Sequence, residues 1–152
     1  MGQREYPPTF SRHWRPALHP QPHQLEITIP LPPRATHPNR RHGHWSSKSK
    51  AVKQQRTDAY YAAIHAMNKA GMAKPRWKAA SIQATFYKPS GRAKTQDIDN
   101  AIGWLKGSCD GLTDSGVLSD DRGLTWLPPK EILGAAAGGE RKVVLLVSSL
   151  DG

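Results

Sequence analysis

The sequence predicts a small mixed α/β (α+β) domain, with about four strands and two helices in the order β-α-β-α-β-β. Two patterns support this: some segments alternate apolar and polar residues, and others repeat apolar residues every three or four positions. The length of 152 residues suffices for one domain that buries roughly two-thirds of its unfolded surface. We therefore predict a basic, disordered arm over residues 1–22 and a single domain over residues 23–152.

Each predicted element follows from local pattern and from its end signals. Leu25, Ile27 and Ile29 alternate with polar residues, which is typical of a strand with one buried face. Beyond a Ser that can cap a helix, apolar residues recur at helical spacing as far as Gly71. The predicted elements are a strand at 25–29, a helix from 46 or 47 to 70, a strand at 82–87, a helix at 100–113, a weak strand at 124–133 and a strong strand at 142–150. Residues 135–139 are expected to form a hairpin loop between the last two strands.

Three glycines of the second predicted helix stand four positions apart. Gly103, Gly107 and Gly111 therefore share one helical face. Because each glycine costs a helix about 1 kcal/mol relative to Ala, another element is expected to approach the backbone there. A second helix, such as one from a symmetric partner chain, is the natural candidate.

Charge is distributed unevenly along the chain. The 22 Lys and Arg outnumber the 12 Asp and Glu, yet six of those acids fall between Asp97 and Asp121. Basic surface attracts nucleic acid, whereas a carboxylate cluster repels it unless metal ions neutralise the cluster. The combination favours phosphodiester chemistry on nucleic acid. An RNA-binding module with ordinary solvated acids is the alternative that charge alone leaves open.

Several function classes are disfavoured by what the sequence lacks. No segment approaches the roughly 20 apolar residues that span a bilayer, and the first residues do not resemble a secretion signal. The single cysteine, Cys109, cannot form an internal disulfide and is predicted to be a small core residue. No glycine-rich phosphate loop is present, so no nucleotide cofactor is expected. We expect a cytoplasmic protein without a membrane partner.

Two acidic pairs flank the second predicted helix. Asp97 and Asp99 precede it, and at a strand-to-helix junction both carboxylates can approach one ion. Mg²⁺ prefers such oxygen ligands, usually one or two carboxylates together with water and substrate phosphate. Asp120 and Asp121 can join this metal site if the chain returns alongside the helix. The alternative is a helix cap at the first pair and a polar turn at the second.

Lys106 lies seven residues beyond Asp99, on nearly the same helical face. A cation there can hold the scissile phosphate or stabilise charge that develops in the transition state. The alternative is a surface ion pair with Asp110, four residues further on, which contributes only a few tenths of a kcal/mol.

Together these residues resemble the RusA-like Holliday junction resolvases, which are small bacterial and phage-borne endonucleases. The resemblance covers roughly residues 25 to 150. It is carried by Asp97-Ile98-Asp99-Asn100, by Lys106, by Asp110-Gly111-Leu112-Thr113, by Gly116-Val117-Leu118-Ser119-Asp120-Asp121, and by Ile27-Thr28-Ile29-Pro30-Leu31-Pro32-Pro33.

The resemblance implies a homodimer of mixed α/β fold that binds four-way junctions or other branched DNA. It implies paired nicks made with Mg²⁺, for which Mn²⁺ substitutes, in recombination and repair in the cytoplasm of a bacterium or a phage-infected host. The metal-binding catalytic carboxylates would be Asp97, Asp99 and Asp121, and Lys106 would be the lysine needed for cleavage. The basic residues expected to contact DNA are Arg92 and Lys94, together with Arg40, Arg41, Lys48 and Lys50.

The position of Lys106 departs from the family pattern, because it follows Asp99 by three residues more than the family's lysine does. Either the extra residues bulge before the helix proper, or Lys106 is not the equivalent lysine. This departure motivates a second hypothesis, a non-catalytic protein that keeps the resolvase fold and binds branched nucleic acid.

Overall fold

A computed structural model describes residues 23–32, 36, 45–88 and 98–151 of the chain. Several predictions fall outside these described residues. They are the arm over residues 1–22 and the site candidates Arg40, Arg41, Arg92, Lys94 and Asp97.

Five strands form one open mixed sheet, which confirms the predicted α+β class and adds a strand to the expected number. The strands are β1 (Gln24–Pro30), β2 (Ala80–Lys88), β3 (Leu124–Trp126), β4 (Lys130–Leu133) and β5 (Lys142–Ser149). β5 pairs antiparallel with β1 on one side and with β2 on the other. The opposite edge of β2 pairs in parallel with both β3 and β4.

The alternation that predicts β1 is confirmed by its burial. Leu25, Ile27 and Ile29 are at most 4% exposed, whereas the residues between them are exposed. Each of the three lies opposite a buried apolar residue of β5. One face of the sheet therefore carries the core, because side chains alternate between the two faces of a strand.

Three helices complete the described fold, namely α1 (Trp45–Ala70), α2 (Ile98–Trp104) and α3 (Lys106–Ser115). The long first helix is confirmed by the structure, and its alanines Ala59 and Ala63 are fully buried. α1 packs against α3 and against β1, so the helices cover the apolar face of the sheet. Phe86 of β2 stacks on Trp104 of α2, with ring centroids 5.5 Å apart, which uses this tryptophan in the core.

The second predicted helix is interrupted at Leu105, which has φ −96° and ψ 7°. Hydrogen bonds from Leu105 N to the Ala101 carbonyl and from Cys109 N to the Leu105 carbonyl, each 3.0 Å, continue across the break. At the same point Gln55 of α1 donates from Nε2 to the Trp104 carbonyl oxygen at 2.6 Å. A side chain that inserts into a helical ladder is a known cause of such breaks.

The glycines of this segment meet a helix of the same chain. A Cβ on Gly111 would overlap the carbonyl oxygen of Arg56 and would lie 2.8 Å from the Cβ of Ala59. A Cβ on Gly107 would lie 3.3 Å from the carbonyl oxygen of Val52. The predicted close approach is confirmed, but the approaching helix is α1 rather than a helix of a symmetric partner. Gly103 is exposed.

The predicted strand over 124–133 is divided into β3 and β4. Pro128 and Pro129 separate the two strands, because proline cannot donate to a ladder. The predicted hairpin over residues 135–139 is wrong. β4 and β5 lie on opposite edges of β2, so the connection must cross β2, and it does so through a 3₁₀ helix at Gly134–Ala137.

No helix among the described residues is long and apolar enough to cross a membrane.

Candidate metal and nucleic-acid site

The chain turns back after α3 and brings Asp121 to the beginning of that helix. α3 ends at Gly116, whose φ of +91° is the left-handed conformation that glycine adopts without strain. The following residues pair with the segment before β2, through Trp77 N to the Val117 carbonyl at 3.0 Å and Ser119 N to the Trp77 carbonyl at 2.9 Å. This short parallel bridge positions the acidic pair that follows it.

Lys106 and Asp121 meet at this point. Lys106 Nζ lies 3.8 Å from Asp121 Oδ2, close enough for an ion pair and too far for a hydrogen bond. Both side chains reach solvent, the lysine being 71% and the aspartate 41% exposed. The alternative of an ion pair between Lys106 and Asp110 is wrong in the described structure, because the lysine pairs with Asp121 instead. Both groups remain accessible to an ion or a phosphate.

Asp120 differs from its neighbour, because both of its carboxylate oxygens are engaged by Arg122. Oδ1 accepts a hydrogen bond from the Arg122 backbone N–H at 2.6 Å, and Oδ2 accepts from Nη2 at 2.8 Å and from Nε at 3.0 Å. The Arg122 hydrogen bonds hold the pKa of the Asp120 carboxyl below its ordinary value. Asp120 therefore caps the 3₁₀ turn at Asp121–Gly123, as the polar-turn alternative expects, and is the poorer metal ligand of the pair.

Asp99 lies in the first turn of α2 and is exposed. Within the part of the chain that the structure describes, no ion pair engages its carboxylate. Nor do three or more His, Cys, Asp or Glu of that part converge closely enough to hold a metal ion. Asp97, the remaining predicted ligand, is outside the described residues. Among the described residues, the contact that the structure shows between predicted site residues is that of Lys106 with Asp121.

Of the predicted DNA contacts, Lys48 and Lys50 are described, and both are exposed near the beginning of α1. Lys48 lines a cavity of about 270 Å³ that Lys106 also lines. The cavity therefore lies between the first part of α1 and Lys106.

Sequence reasoning missed Gln55, which also lines this cavity. The residue is only 4% exposed, and its Nε2 donates to the Trp104 carbonyl oxygen and to Ser108 Oγ. Its Oε1 is buried without a hydrogen-bond partner. The available signal was its position: Gln55 falls between Val52 and Ala59 in the apolar stripe of α1, where a polar residue is unexpected.

Cys109 is confirmed as a core residue, with 4% of its surface exposed. Burial raises the pKa of its thiol to about 12, and the nearby Asp110 and Asp121 carboxylates act in the same direction. Because the thiolate is the nucleophilic form, this cysteine is not suited to nucleophilic catalysis.

Comparison with known proteins adds little to this description. No protein-family model matches the chain, and no curated protein matches it. Among solved structures, a similar one is that of a cyanuric acid hydrolase, with 14% sequence identity and a TM-score of 0.35. The similarity covers 82% of this chain but only 37% of that chain. A likeness at this level carries no argument about fold or activity.

Proposed function

We propose that the protein is a metal-dependent endodeoxyribonuclease that cuts four-way DNA junctions, as its resemblance to the RusA-like resolvases implies. The observation that carries this proposal is the 3.8 Å approach of Lys106 Nζ to Asp121 Oδ2. The two residues are fifteen positions apart in the sequence, and both belong to the motifs of the resemblance. Their meeting supports the motifs as parts of one site.

The donor set fits Mg²⁺ or Mn²⁺. Mg²⁺ takes one or two carboxylates and completes its shell with water and phosphate oxygens, so Asp99 and Asp121 suffice in number, with Asp97 as a third ligand. A bound ion would neutralise the phosphate and activate water. Asp121 is exposed and holds its lysine loosely, so its oxygens are available as ligands. Asp120 is left out of the proposed ligand set, because Arg122 engages both of its oxygens.

Lys106 is the proposed phosphate contact. Its side chain is 71% exposed and its ammonium lies beside a proposed ligand, so it can approach a phosphate oxygen near the ion. The break at Leu105 bears on the displaced position of Lys106 in the sequence. The residues between Asp99 and the break are helical in α2, and the hydrogen bonds of Leu105 N and Cys109 N continue across the break, so the extra residues do not bulge before the helix. The role proposed for Lys106 therefore rests on its approach to Asp121 rather than on the first of the two alternatives.

The remainder of the proposal follows from charge and symmetry. A formal charge of +10 favours binding to DNA phosphates, so recognition should depend on branched shape more than on base sequence. Two symmetric nicks require two sites, which a homodimer supplies. We place this activity in recombination and repair in the cytoplasm of a bacterium or a phage-infected host.

The test compares a labelled synthetic four-way junction with a matched linear duplex, in Mg²⁺, Mn²⁺ or EDTA. We expect paired, metal-dependent nicks in the junction only. Asp99→Asn should abolish them without weakening junction binding, because a negative charge near phosphate has been removed. Asp58→Asn is the matched control, since this carboxylate only accepts a hydrogen bond from Gln54 on the same helix. Undiminished cutting by Asp99→Asn would overturn the metal-site assignment.

A non-catalytic junction-binding protein is the second candidate. It is favoured by the engagement of Asp120 with Arg122 and by the lack of a three-residue acidic cluster among the described residues. It predicts salt-sensitive junction binding that is indifferent to Mg²⁺, with no nicking under any metal. Measurable metal-dependent turnover would eliminate it.

A further inference from the structure

Three neighbouring cavities lie along α1, beginning beside Lys106. The first shares Lys48 and Val52 with the second, and the second shares Lys53 and Arg56 with the third. Their lining residues on α1 fall between positions 48 and 61, which corresponds to about 20 Å at 1.5 Å per residue. We call this feature the seam groove, because α3 contributes to its two ends.

The seam groove is basic overall. Four basic side chains line it against two acidic ones, and one of those acids is already paired: Asp114 accepts hydrogen bonds from Arg56 Nε at 2.5 Å and Nη2 at 2.8 Å. The basic residues are Lys48, Lys53, Arg56 and Lys106, and the acidic ones are Asp110 and Asp114. An anionic, extended ligand fits this lining.

Aromatic surface lies at the end of the seam groove remote from Lys106. Tyr61 is 65% exposed, whereas Ala59, Ala63 and Met67 of the same helix are buried. Tyr60 meets it edge to face, with ring centroids 5.1 Å apart, and so supports one orientation of the ring. A positively charged groove with exposed aromatic rings is typical of proteins that bind single-stranded nucleic acid, because bases stack on the rings.

The end of the seam groove near Lys106 contains a buried acceptor without a donor. Gln55 Oε1 has no hydrogen-bond partner, and it lies beside Gly107, where a Cβ would be 3.4 Å away. Both residues line the first cavity, together with Val52 and Trp104. Its volume of about 270 Å³ is slightly below the range of roughly 300–1,000 Å³ usual for drug-sized ligands, so one nucleotide unit is a suitable occupant.

We propose that the seam groove binds one unpaired DNA strand leading into the Lys106–Asp121 site, with one base in the first cavity beside Gln55. This inference rests on the proposed function and specifies how that function admits its substrate. Tyr61 stacks on a base, Lys48 and Lys53 contact phosphates, and an N–H of the enclosed base donates to Gln55 Oε1. Unpaired nucleotides at a branch point supply such a strand, whereas a continuous duplex does not.

The test measures binding in EDTA, so that it does not depend on cleavage. Fluorescence anisotropy compares a short labelled single strand with a duplex of equal length, for wild type and for Tyr61→Ala. We expect Tyr61→Ala to weaken single-strand binding about tenfold, because one base loses its stacking surface, and to change duplex binding less than twofold. Leu150→Ala is the control, since Leu150 is 54% exposed and outside the seam groove.

A salt titration tests the phosphate contacts independently. Lys53→Gln should make the plot of log K against log salt concentration shallower by about 0.7 for the single strand, which corresponds to one phosphate contact. Lys130→Gln, an exposed lysine at the start of β4, should leave that slope unchanged. An oligoglutamate peptide should not displace the single strand at equal charge. Displacement by that peptide would overturn the assignment to nucleic acid.

The base pocket is tested in the wild-type protein, because Gln55→Met removes two buried hydrogen bonds that join α1 to α2 and α3. In nitrogen-15 NMR spectra, saturation with the single strand should shift the side-chain amide resonances of Gln55 and leave those of Gln54 in place. If the Gln55 resonances do not move, the proposal that a base enters the first cavity is wrong. If Tyr61→Ala binds the single strand as tightly as wild type, the proposal that the seam groove binds an unpaired strand is wrong. Neither result affects the nicking assay, so a failure of this inference is distinguishable from a failure of the proposed function.

Discussion

Two carboxylates of the second half of the chain each meet a basic side chain, and the two pairs differ in kind. Asp114 accepts two hydrogen bonds from Arg56, at 2.5 and 2.8 Å, and these bonds join α3 to α1. Asp121 lies 3.8 Å from Lys106 and makes no hydrogen bond to it. The first pair occupies both oxygens of its carboxylate, whereas the second leaves them available.

The difference separates a structural ion pair from a candidate site. The Arg56 hydrogen bonds hold the pKa of the Asp114 carboxyl below its ordinary value, so this group stays ionised and paired. Asp121 begins a 3₁₀ turn and has exposed oxygens that an ion can approach. Removal of Asp121 should therefore affect cleavage, and removal of Asp114 should affect folding stability.

The largest expected effect is that of Asp121→Asn on junction cleavage. Loss of a metal ligand should reduce the cleavage rate by at least about 100-fold, because the ion supplies several kcal/mol of transition-state stabilisation. Single-turnover assays with a four-way junction measure the rate, and chemical denaturation should show stability within about 0.5 kcal/mol of wild type. If Asp121→Asn cuts junctions at the wild-type rate, the Lys106–Asp121 pair is not a catalytic site and does not differ in role from the Arg56–Asp114 pair.

The next effect is that of Lys106→Gln. A cation that stabilises developing phosphate charge contributes about 100-fold to the rate, so the variant should cut about that much more slowly. Lys106→Arg should retain part of the activity, because it keeps the positive charge. Lys69→Gln, an exposed lysine in the last turn of α1, is the matched control. Equal rates for Lys106→Gln and wild type would show that the displaced lysine is not the family's lysine.

A third prediction concerns the contact between α1 and α3, which the Arg56–Asp114 ion pair also joins. Gly111→Ala should lower the free energy of unfolding by about 1–3 kcal/mol, because the new Cβ overlaps the Arg56 carbonyl oxygen. Gly103→Ala is the matched control in the same row of glycines. Since Gly103 is exposed, its replacement should raise stability by up to about 1 kcal/mol through helix propensity alone. Urea unfolding measures both, and equal effects would contradict the close approach of α1.

Local patterns were sufficient to predict most elements. The alternation at 25–29 and the helical spacing over 46–70 are properties of short segments, and both elements are present. The break at Leu105 was not predictable in this way, because the side chain that enters it comes from Gln55, on another helix. Likewise, the parallel pairing of β3 and β4 with β2 depends on distant strands, and segments of three and four residues carry little signal.

The same distinction holds within the site. Asp120 and Asp121 are adjacent acids that sequence treats alike, yet the extended backbone at Asp120 directs its carboxylate to the Arg122 N–H. This arrangement is a local Asx-type turn, and an Arg two residues after an Asp permits it without requiring it. The sequence predicted that Asp121 joins the acids before the helix only on the condition that the chain returns alongside that helix. The Gly116 turn and the bridge to Trp77 meet that condition.

The smallest expected effect is that of Asp114→Asn on stability. An exposed ion pair contributes roughly 0.2–1 kcal/mol, so the variant should lose about 0.5 kcal/mol at neutral pH. Because the folded-state pKa of Asp114 is depressed, this contribution is complete above the ordinary pKa of Asp and is lost as pH falls through the depressed value. Unfolding curves measured from neutral to acid pH should therefore converge for the two proteins. A constant difference across that range would mean that Asp114 stabilises the fold by packing rather than by its charge, and that the two carboxylates differ less than their geometry indicates.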